Sequence, residues 1–368
     1  MEKATKSQMR EHNRQLVLRL IYSGAATNRA ALAQETGLTK PAISDMVTEL
    51  MNEGLLIEEG FGESTDSGGK RPRLLRFLPE ARQVIGISIN QNYILGVLTN
   101  LNGHVIAEHS TDIDTTEYQA VFSCVLEVIN GLIAQLSSPL LCIGAGISAI
   151  VDKEGMIRYA PRFGWEFIAL AEALHQHYGL PVYVSNSAEL AALAQVAFGA
   201  AKEVENLVTI MVSNTVGVGA VLNSHHIGSE ISYLREPQLP ALQDRLGWQQ
   251  VKTRAAEIGF PEKDLTYLYI RYMGLQKNPA ALNLQKDLAA TLAQVFAWTI
   301  ALLMPRHISL AGAIADLGDE FLQLAVQQTR DLVLPGLVDM IDFTVDDTPN
   351  LVAIGAAAKA VQFELGLV

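Results

Sequence analysis

From Gln83 onward one order of elements is written twice. Short apolar runs at residues 84–89, 93–99 and 104–108 read as a three-stranded meander, with Asn102-Gly103 marking a tight hairpin turn. A helix over 117–135 and a strand at 141–147 follow, and a strand at 182–185 leads into an Ala-rich helix at 188–198. A second meander opens at 207–212 and continues at 217–222. Helices then cover 240–304, a strand 307–311, a helix 320–332 and a closing helix 351–363. A repeated order of meander, helix and strand predicts two related α/β lobes with a cleft between them, the usual seat of a ligand. The division expected is 83–190 plus 351–368 for the first lobe, and 191–350 for the second, which carries helical dimerisation elements.

The material suits that reading. Of 368 residues, 49% are hydrophobic and 18% charged, enough for sizeable cores and against disorder or coiled coil. Cys124 and Cys142 lie far apart without a C-x-x-C pairing. This excludes a disulfide framework and a cysteine-based zinc site, and suits a reducing cytoplasm. The N-terminus stays polar through Arg14, unlike a signal peptide. The most apolar run, 288–304, contains Thr291, Gln294 and Thr299 and is too short to span a bilayer, so a buried helix and no membrane are expected.

The net charge of −12 is unevenly spread. Residues 1–82 carry 12 Lys/Arg against 11 Asp/Glu, whereas residues 83–368 carry 15 against 28. A near-neutral head on an acidic body suggests different partners for the two parts, and the body itself should repel phosphate backbones.

The head, residues 1–82, reads as a winged helix-turn-helix. Residues 13–22 put Leu16, Val17, Leu20 and Ile21 on one helical face. Asn28 is placed to cap a second helix over 29–36, and Gly37 supplies the sharp turn after it. Thr39 is placed to cap a third helix with Pro41 in its first turn, where proline costs little. Ile43, Val47, Leu50 and Met51 repeat with helical spacing, leaving Thr39, Lys40, Ser44, Asp45 and Thr48 on the other face. Strand-like runs at 55–59 and 74–78 flank a polar, glycine-rich tip carrying Lys70, Arg71 and Arg73, the expected wing. Such a head points to double-stranded DNA. Thr39, Lys40, Pro41, Ser44, Asp45 and Thr48 would meet the major groove, and the wing's Lys70, Arg71 and Arg73 phosphate or the minor groove. Glu58, Glu59 and Glu63 read as solvated charges.

NRQLVLRLI, LAQETGLTKPAISDMVTELMNEGLL and SGGKRP resemble the repressor N-terminus of the ROK family, which groups sugar-responsive repressors with sugar kinases. GISAIVDKEGMI, PRFGW, GLPVYVSNSAELAAL and VAIGAAAKA resemble its body. The resemblance covers nearly the whole chain. It implies an α/β fold in which a winged helix-turn-helix precedes a two-lobed actin-like (sugar kinase/ribonuclease H-like) body.

The departures from the family's kinase pattern bear on function. Ser88 stands where family kinases have an Asp, and Asn90, Gln91 and Asn92 replace the Gly-Gly-Thr turn that approaches ATP phosphates. The Glu-Asn-Asp motif that supplies the catalytic base is Ser185, Asn186, Ser187 here, and a serine without an adjacent base cannot take a proton from a sugar hydroxyl at neutral pH. Ser213, Asn214 and Thr215 replace the second phosphate turn, although Gly217 and Gly219 persist, and Ala311, Gly312, Ala313 replace a triple glycine. The cysteine-rich zinc loop is missing, and Tyr233 stands at its histidine. His225 and His226 read as a surface turn. No catalytic residue, metal or cofactor is expected.

What remains is sugar-type recognition. Asn186 and Glu230 match the family's sugar-binding asparagine and glutamate. Arg162 replaces a sugar-contacting asparagine and would either favour a carboxylate or phosphate on the ligand or stand at the cleft edge as a structural ion-pair residue. Trp165 would stack on a sugar ring or anchor the cleft from beneath. The reading is a non-enzymatic DNA-binding regulator, a repressor of carbohydrate uptake or catabolism genes. It would act as a homodimer or homotetramer on a palindromic operator, sensing a sugar, sugar acid or sugar phosphate. The alternatives are an active sugar kinase with an attached DNA-binding head, and a regulator controlled by a protein partner.

Overall fold

The computed structural model describes residues 6–62, 71–198, 204–223, 225–235, 237–260 and 265–367. The head opens with three helices, α1 (Lys6–Tyr22), α2 (Arg29–Thr36) and α3 (Lys40–Asn52). Local chemistry sets each boundary. The Asn28 carboxamide accepts from the backbone N–H groups of Ala30 and Ala31 at 3.0 and 2.9 Å and starts α2. Gly37, at φ 68°, takes the left-handed conformation that ends it. Thr39 Oγ1 accepts from the Ala42 N–H at 3.4 Å and starts α3, whose Ile43, Met46, Val47 and Leu50 are buried. Strands β1 (Leu56–Phe61) and β2 (Arg73–Phe77) pair antiparallel, and the Leu75 N–H bonds the Thr27 carbonyl at 2.8 Å, tying the hairpin to the start of α2. Three helices and a hairpin make a winged helix-turn-helix. Lys70 and Glu63 of the expected wing lie outside the described residues.

The body holds two five-stranded sheets of one topology. In the first lobe, β3 (Gln83–Ile89), β4 (Tyr93–Asn100) and β5 (Val105–Asp112) form the meander, and β6 (Leu140–Ile147) and then β10 (Val182–Asn186) extend it parallel to β3. Between β6 and β10 lie a small sheet, β7 (Ile150–Val151), β8 (Ile157–Ala160) and β9 (Trp165–Ile168), and helix α5 (Leu170–Tyr178). Helix α4 (Tyr118–Ile133) packs on the meander.

In the second lobe β11 (Asn206–Val212), β12 (Val216–Leu222) and β13 (His225–Glu230) form the meander, and β14 (His307–Ala311) and β15 (Asp342–Asp346) extend it in the same way. Helices α7 (Leu242–Leu246), α8 (Trp248–Glu257), α9 (Tyr267–Leu275), α10 (Pro279–Leu303) and α11 (Gly318–Thr329) enclose its core. The apolar run at 288–304 is the inner part of α10, where Leu288, Leu292, Phe296 and Ile300 are buried. Strand β13 corrects the reading of His225 and His226 as a turn. Its alternating exposed and half-buried residues are those of an edge strand.

Two helices cross between the lobes. Helix α6 (Ser187–Ala197) follows β10 of the first lobe but packs on the second, and α12 (Leu351–Glu364) follows β15 of the second but packs on the first. A boundary at residue 190 therefore falls inside α6. The crossing is close because glycine lies at the contacts. A Cβ on Gly86 would stand 1.9 Å from the Ala353 carbonyl oxygen of α12, and one on Gly219 would stand 1.8 Å from that of Ala188 in α6. A Cβ on Gly355 would meet the Leu190 carbonyl at 1.9 Å, so the two helices touch backbone to backbone.

The head is not tethered by a free linker. Val17, Leu18 and Ile21 of α1 share one buried cluster with Val84, Cys142, Val361 and Leu365 of the first lobe. Tyr22 donates to the Leu101 carbonyl at 3.2 Å, Arg19 to the Gly366 carbonyl at 3.2 Å, and Arg82 to the Glu53 carbonyl at 2.9 Å.

Candidate functional site

Two regions gather functional side chains. The first is the outer face of α3. Thr39, Lys40, Pro41, Ser44, Asp45 and Thr48 are all exposed, and their spacing keeps them on one side of the helix, opposite the buried Ile43, Val47 and Leu50. Part of this face is pre-set. Thr48 Oγ1 donates to the Ser44 carbonyl at 2.7 Å, and Arg29 of α2 donates to Ser44 Oγ and its carbonyl at 3.1 and 3.0 Å. Arg71 is exposed at the root of the wing.

Arg73 is also exposed, but it is engaged. It pairs with Glu58 at 2.8 Å, and Glu58 takes Arg29 as well at 3.0 Å. Hydrogen bonds from Arg73 and then Arg29 lower the Glu58 pKa. Glu58 is thus the centre of an Arg–Glu–Arg cluster and not a free solvated charge, and Glu59 likewise pairs with Arg76. The sequence signal was available: on a two-stranded hairpin Glu58 and Glu59 face Leu75 and Leu74, with Arg73 and Arg76 as diagonal neighbours on the same two faces.

The second region is the cleft between the lobes, a cavity of about 210 Å³. This is below the roughly 300–1,000 Å³ of pockets that enclose drug-sized ligands, and suits a smaller molecule. The turn after β3 faces the turn between β11 and β12 across it. Its polar lining includes Asn90, Asn92, Ser148, Ser213 and Thr215, with Phe163 and Trp248 as aromatic walls. Asn90 donates to Ser88 at 3.0 Å, and Ser213 Oγ accepts from the Ala313 N–H at 3.0 Å. Bonds cross this cleft from lobe to lobe: Thr215 Oγ1 to Ser148 Oγ at 3.3 Å, and Arg162 Nη2 to the Asn214 carbonyl.

The four expected ligand residues are placed differently from one another. Arg162 lines the cavity. Glu230 ends β13, where its carboxylate accepts from the Ser232 hydroxyl at 2.5 Å and the Ser232 N–H at 3.2 Å. Burial raises its pKa, against the opposing pull of those hydrogen bonds and the Arg162 charge. Asn186 is 7% exposed and held by the fold: its carbonyl oxygen caps α6 by accepting from Ala188 and Glu189, and its NH₂ donates to the Ala149 carbonyl at 2.9 Å. Trp165 lies in the first-lobe core, away from the cavity lining, 6% exposed, with its indole N–H on the Thr116 carbonyl at 2.8 Å. It packs against Tyr118 edge-on and against Phe163 in a tilted stack, and its burial leaves little surface for a sugar ring. Among the described residues no three His, Cys, Asp or Glu side chains come together as a metal-ligand set.

Residues 84–230 match the model of the ROK family. The chain is 32% identical over 228 residues to the xylose repressor of Bacillus subtilis (strain 168), covering 61% of this chain and 59% of the relative. It is 24% identical over 230 residues to the DNA-binding transcriptional repressor Mlc of Escherichia coli (strain K12), covering 60% and 56%. The matched stretch thus spans less than two thirds of these curated relatives. Among solved structures, a ROK family transcriptional regulator, homolog of the E. coli MLC protein, superposes with a TM-score of 0.83 at 22% identity over 98% of each chain. A ROK family glucokinase from Streptomyces griseus, in complex with glucose and AMPPNP, superposes with a TM-score of 0.66 at 19% identity, over 76% of this chain and 99% of that one. The first likeness extends the shared fold through the head, and the second confines it to the two-lobed body.

Proposed function

On the premise that this chain carries a ROK-family domain, we propose that it is a DNA-binding transcriptional repressor of carbohydrate uptake or catabolism genes, with a body that senses a small molecule and does not phosphorylate it. The observation that carries the reading is the exposed stripe of α3, free of apolar residues apart from Pro41 and presented by a winged head that the first lobe holds rigidly. In a helix-turn-helix that stripe enters the major groove, with Lys40 and Arg71 on phosphate and Ser44, Asp45 and Thr48 toward base edges. A homodimer or homotetramer would place two heads on a palindromic operator.

The body supports sensing without catalysis. Among the described residues no carboxylate lines the cavity, and its serines have no adjacent base to take a proton from a sugar hydroxyl. Side chains of Asn90, Gln91 and Asn92 occupy the turn where close backbone approach to phosphate would be needed. A cleft crossed by hydrogen bonds from both lobes responds to an occupant by changing the angle between them, provided the occupant binds the two arrangements unequally.

Selection of bound duplexes from a random pool, followed by gel retardation at several salt concentrations, tests the reading. The expected result is a two-fold-symmetric sequence bound far above background, with affinity falling steeply as salt rises. Salt-insensitive background retention of every duplex overturns it. An ATP-dependent assay on a panel of sugars is expected to show no turnover. Turnover abolished by a cleft substitution would replace the sensor with an enzyme.

A further inference from the structure

The cleft has an electrostatic character that sequence motifs alone do not convey. Among the described residues that line it, Arg162 is the only charged side chain; the remainder are hydroxyls, amides and apolar groups. Its hydrogen-bond partner is the backbone carbonyl of Asn214, and no carboxylate pairs with it among the described residues. Its Nε is buried and without a partner. A guanidinium offers donors in a fixed fork; one meets the Asn214 carbonyl, the buried Nε–H meets no acceptor, and the other donors stand at the wall of a small cavity. Leaving such a charge under-satisfied in a partly desolvated site is costly, and an anion that supplies two acceptors removes the cost. Glu230 is near enough for the Arg162 charge to act on it, but its Oε1 accepts from the Ser232 hydroxyl and N–H, and among the described residues it forms no ion pair with Arg162.

We propose that the cleft takes an anionic monosaccharide derivative, one bearing a carboxylate or a phosphate, and that Arg162 selects the charge. The inference rests on the reading of the body as a small-molecule sensor and names the class of its ligand. The hydroxyls and amides of Asn90, Asn92, Ser148, Ser213 and Thr215 suit a polyol, and Phe163 and Trp248 provide aromatic surface for its carbon face. Arg162 belongs to the first lobe and its hydrogen-bond partner to the second. An anion on the guanidinium therefore sits at the join of the two lobes, where its presence changes how they meet.

Isothermal titration of the full-length protein with D-glucuronate, D-gluconate, D-glucose 6-phosphate, D-glucose and D-xylose tests this, with acetate and inorganic phosphate as controls for the bare anions. At least one acid or phosphate ester is expected to bind, and its neutral parent at least about tenfold more weakly. The acids and the ester distinguish the carboxylate from the phosphate. Arg162→Gln, which keeps a donor for the Asn214 carbonyl, should weaken the anion about tenfold to a hundredfold and neutral sugars by far less, so that the preference for the anion is lost. Arg162→Lys, which keeps the charge without the fork, should lose less. It serves as the reference should Arg162→Gln melt differently from the parent by circular dichroism. Neutral sugars binding as tightly as anions, an anion bound equally by Arg162→Gln, or no anion bound at all overturns the proposal. Gel retardation is run separately. A chain that grips DNA but prefers neutral sugars loses only the charge assignment, and one that binds an anion through Arg162 but no DNA loses only the repressor reading.

Discussion

Lys359 of α12 lies 2.6 Å from Glu189 of α6, so the two helices that cross between the lobes are joined by an ion pair as well as by their touching backbones. The side chains are only 17% and 15% exposed, which places the pair in the class where removing one partner costs far more than the pair contributes. Lys359→Met is expected to lower stability by about 3 kcal/mol, because it leaves the largely buried Glu189 carboxylate without its cation. Adding Glu189→Leu should restore most of the loss. Urea unfolding midpoints of the single and double replacements check this, and a double replacement no better than the single one would place the strain elsewhere.

On the α3 face, Lys40 and Asp45 are expected to behave differently. Lys40→Ala should weaken binding to all duplexes alike and reduce the slope of log affinity against log salt by about 1, the signature of one lost phosphate contact. Asp45→Ala should change preference at one base position by about 1–3 kcal/mol with little change in slope. Salt titrations on the selected duplex and its single-base variants separate the two effects.

The cluster around Glu58 restrains two arginines at the junction of α2 and the wing. Glu58→Gln removes the carboxylate shared by Arg29 and Arg73. The expected outcome is tighter sequence-independent binding to DNA and a salt slope steeper by about 1 for each arginine that gains a phosphate. Filter binding to random-sequence duplex measures it, and an unchanged slope means the arginines stay off the backbone.

Glu230 gives the chain an unusual pH response. Its folded-state pKa is raised, first by burial, so between the ordinary carboxylate pKa and the raised value the folded state holds the proton that the unfolded state has released. Stability from this group therefore falls as pH rises through that window. Glu230→Gln, which keeps an acceptor for Ser232, should melt like the parent at pH below the ordinary carboxylate pKa and higher than the parent above the raised value. Thermal melts across that range check it, and an advantage confined to acidic pH would reverse the sign.

The parts of this fold that follow from neighbouring residues were legible in the sequence. Asn28, Gly37, Thr39 and Pro41 each act within a few residues of their position, and the helices they delimit lie where the spacing predicts. The first half of α1 was not legible. Residues 6–12 carry no apolar period, and Arg10 and Arg14 of α1 are held by Glu49 and Glu53, which are distant in sequence. Strands β13 and β15 escaped for a related reason: each lies at a sheet edge and has little apolar character of its own. In the cleft the difficulty is dual use. Asn186 has the chemistry of a ligand contact, but Glu189 follows it three residues later as in a capping box, and the cap takes its acceptor. Trp165 offers an aromatic face to any reader of the sequence, and only its burial against Tyr118 and Phe163 shows that the ring is core.

The shared core of α1 and the first lobe has a consequence for how an operator is measured. Heads hung on slack tethers would tolerate many separations between half-sites, each reached by stretching the chain. Heads set into the body like teeth in a jaw do not have that freedom. In any two-fold pair of such chains, the distance from one reading helix to the other is fixed by how the jaws are set, and a few degrees of tilt between lobes shift both tips along the duplex at once. Bases lying between the half-sites, touched by nothing, would then still be counted.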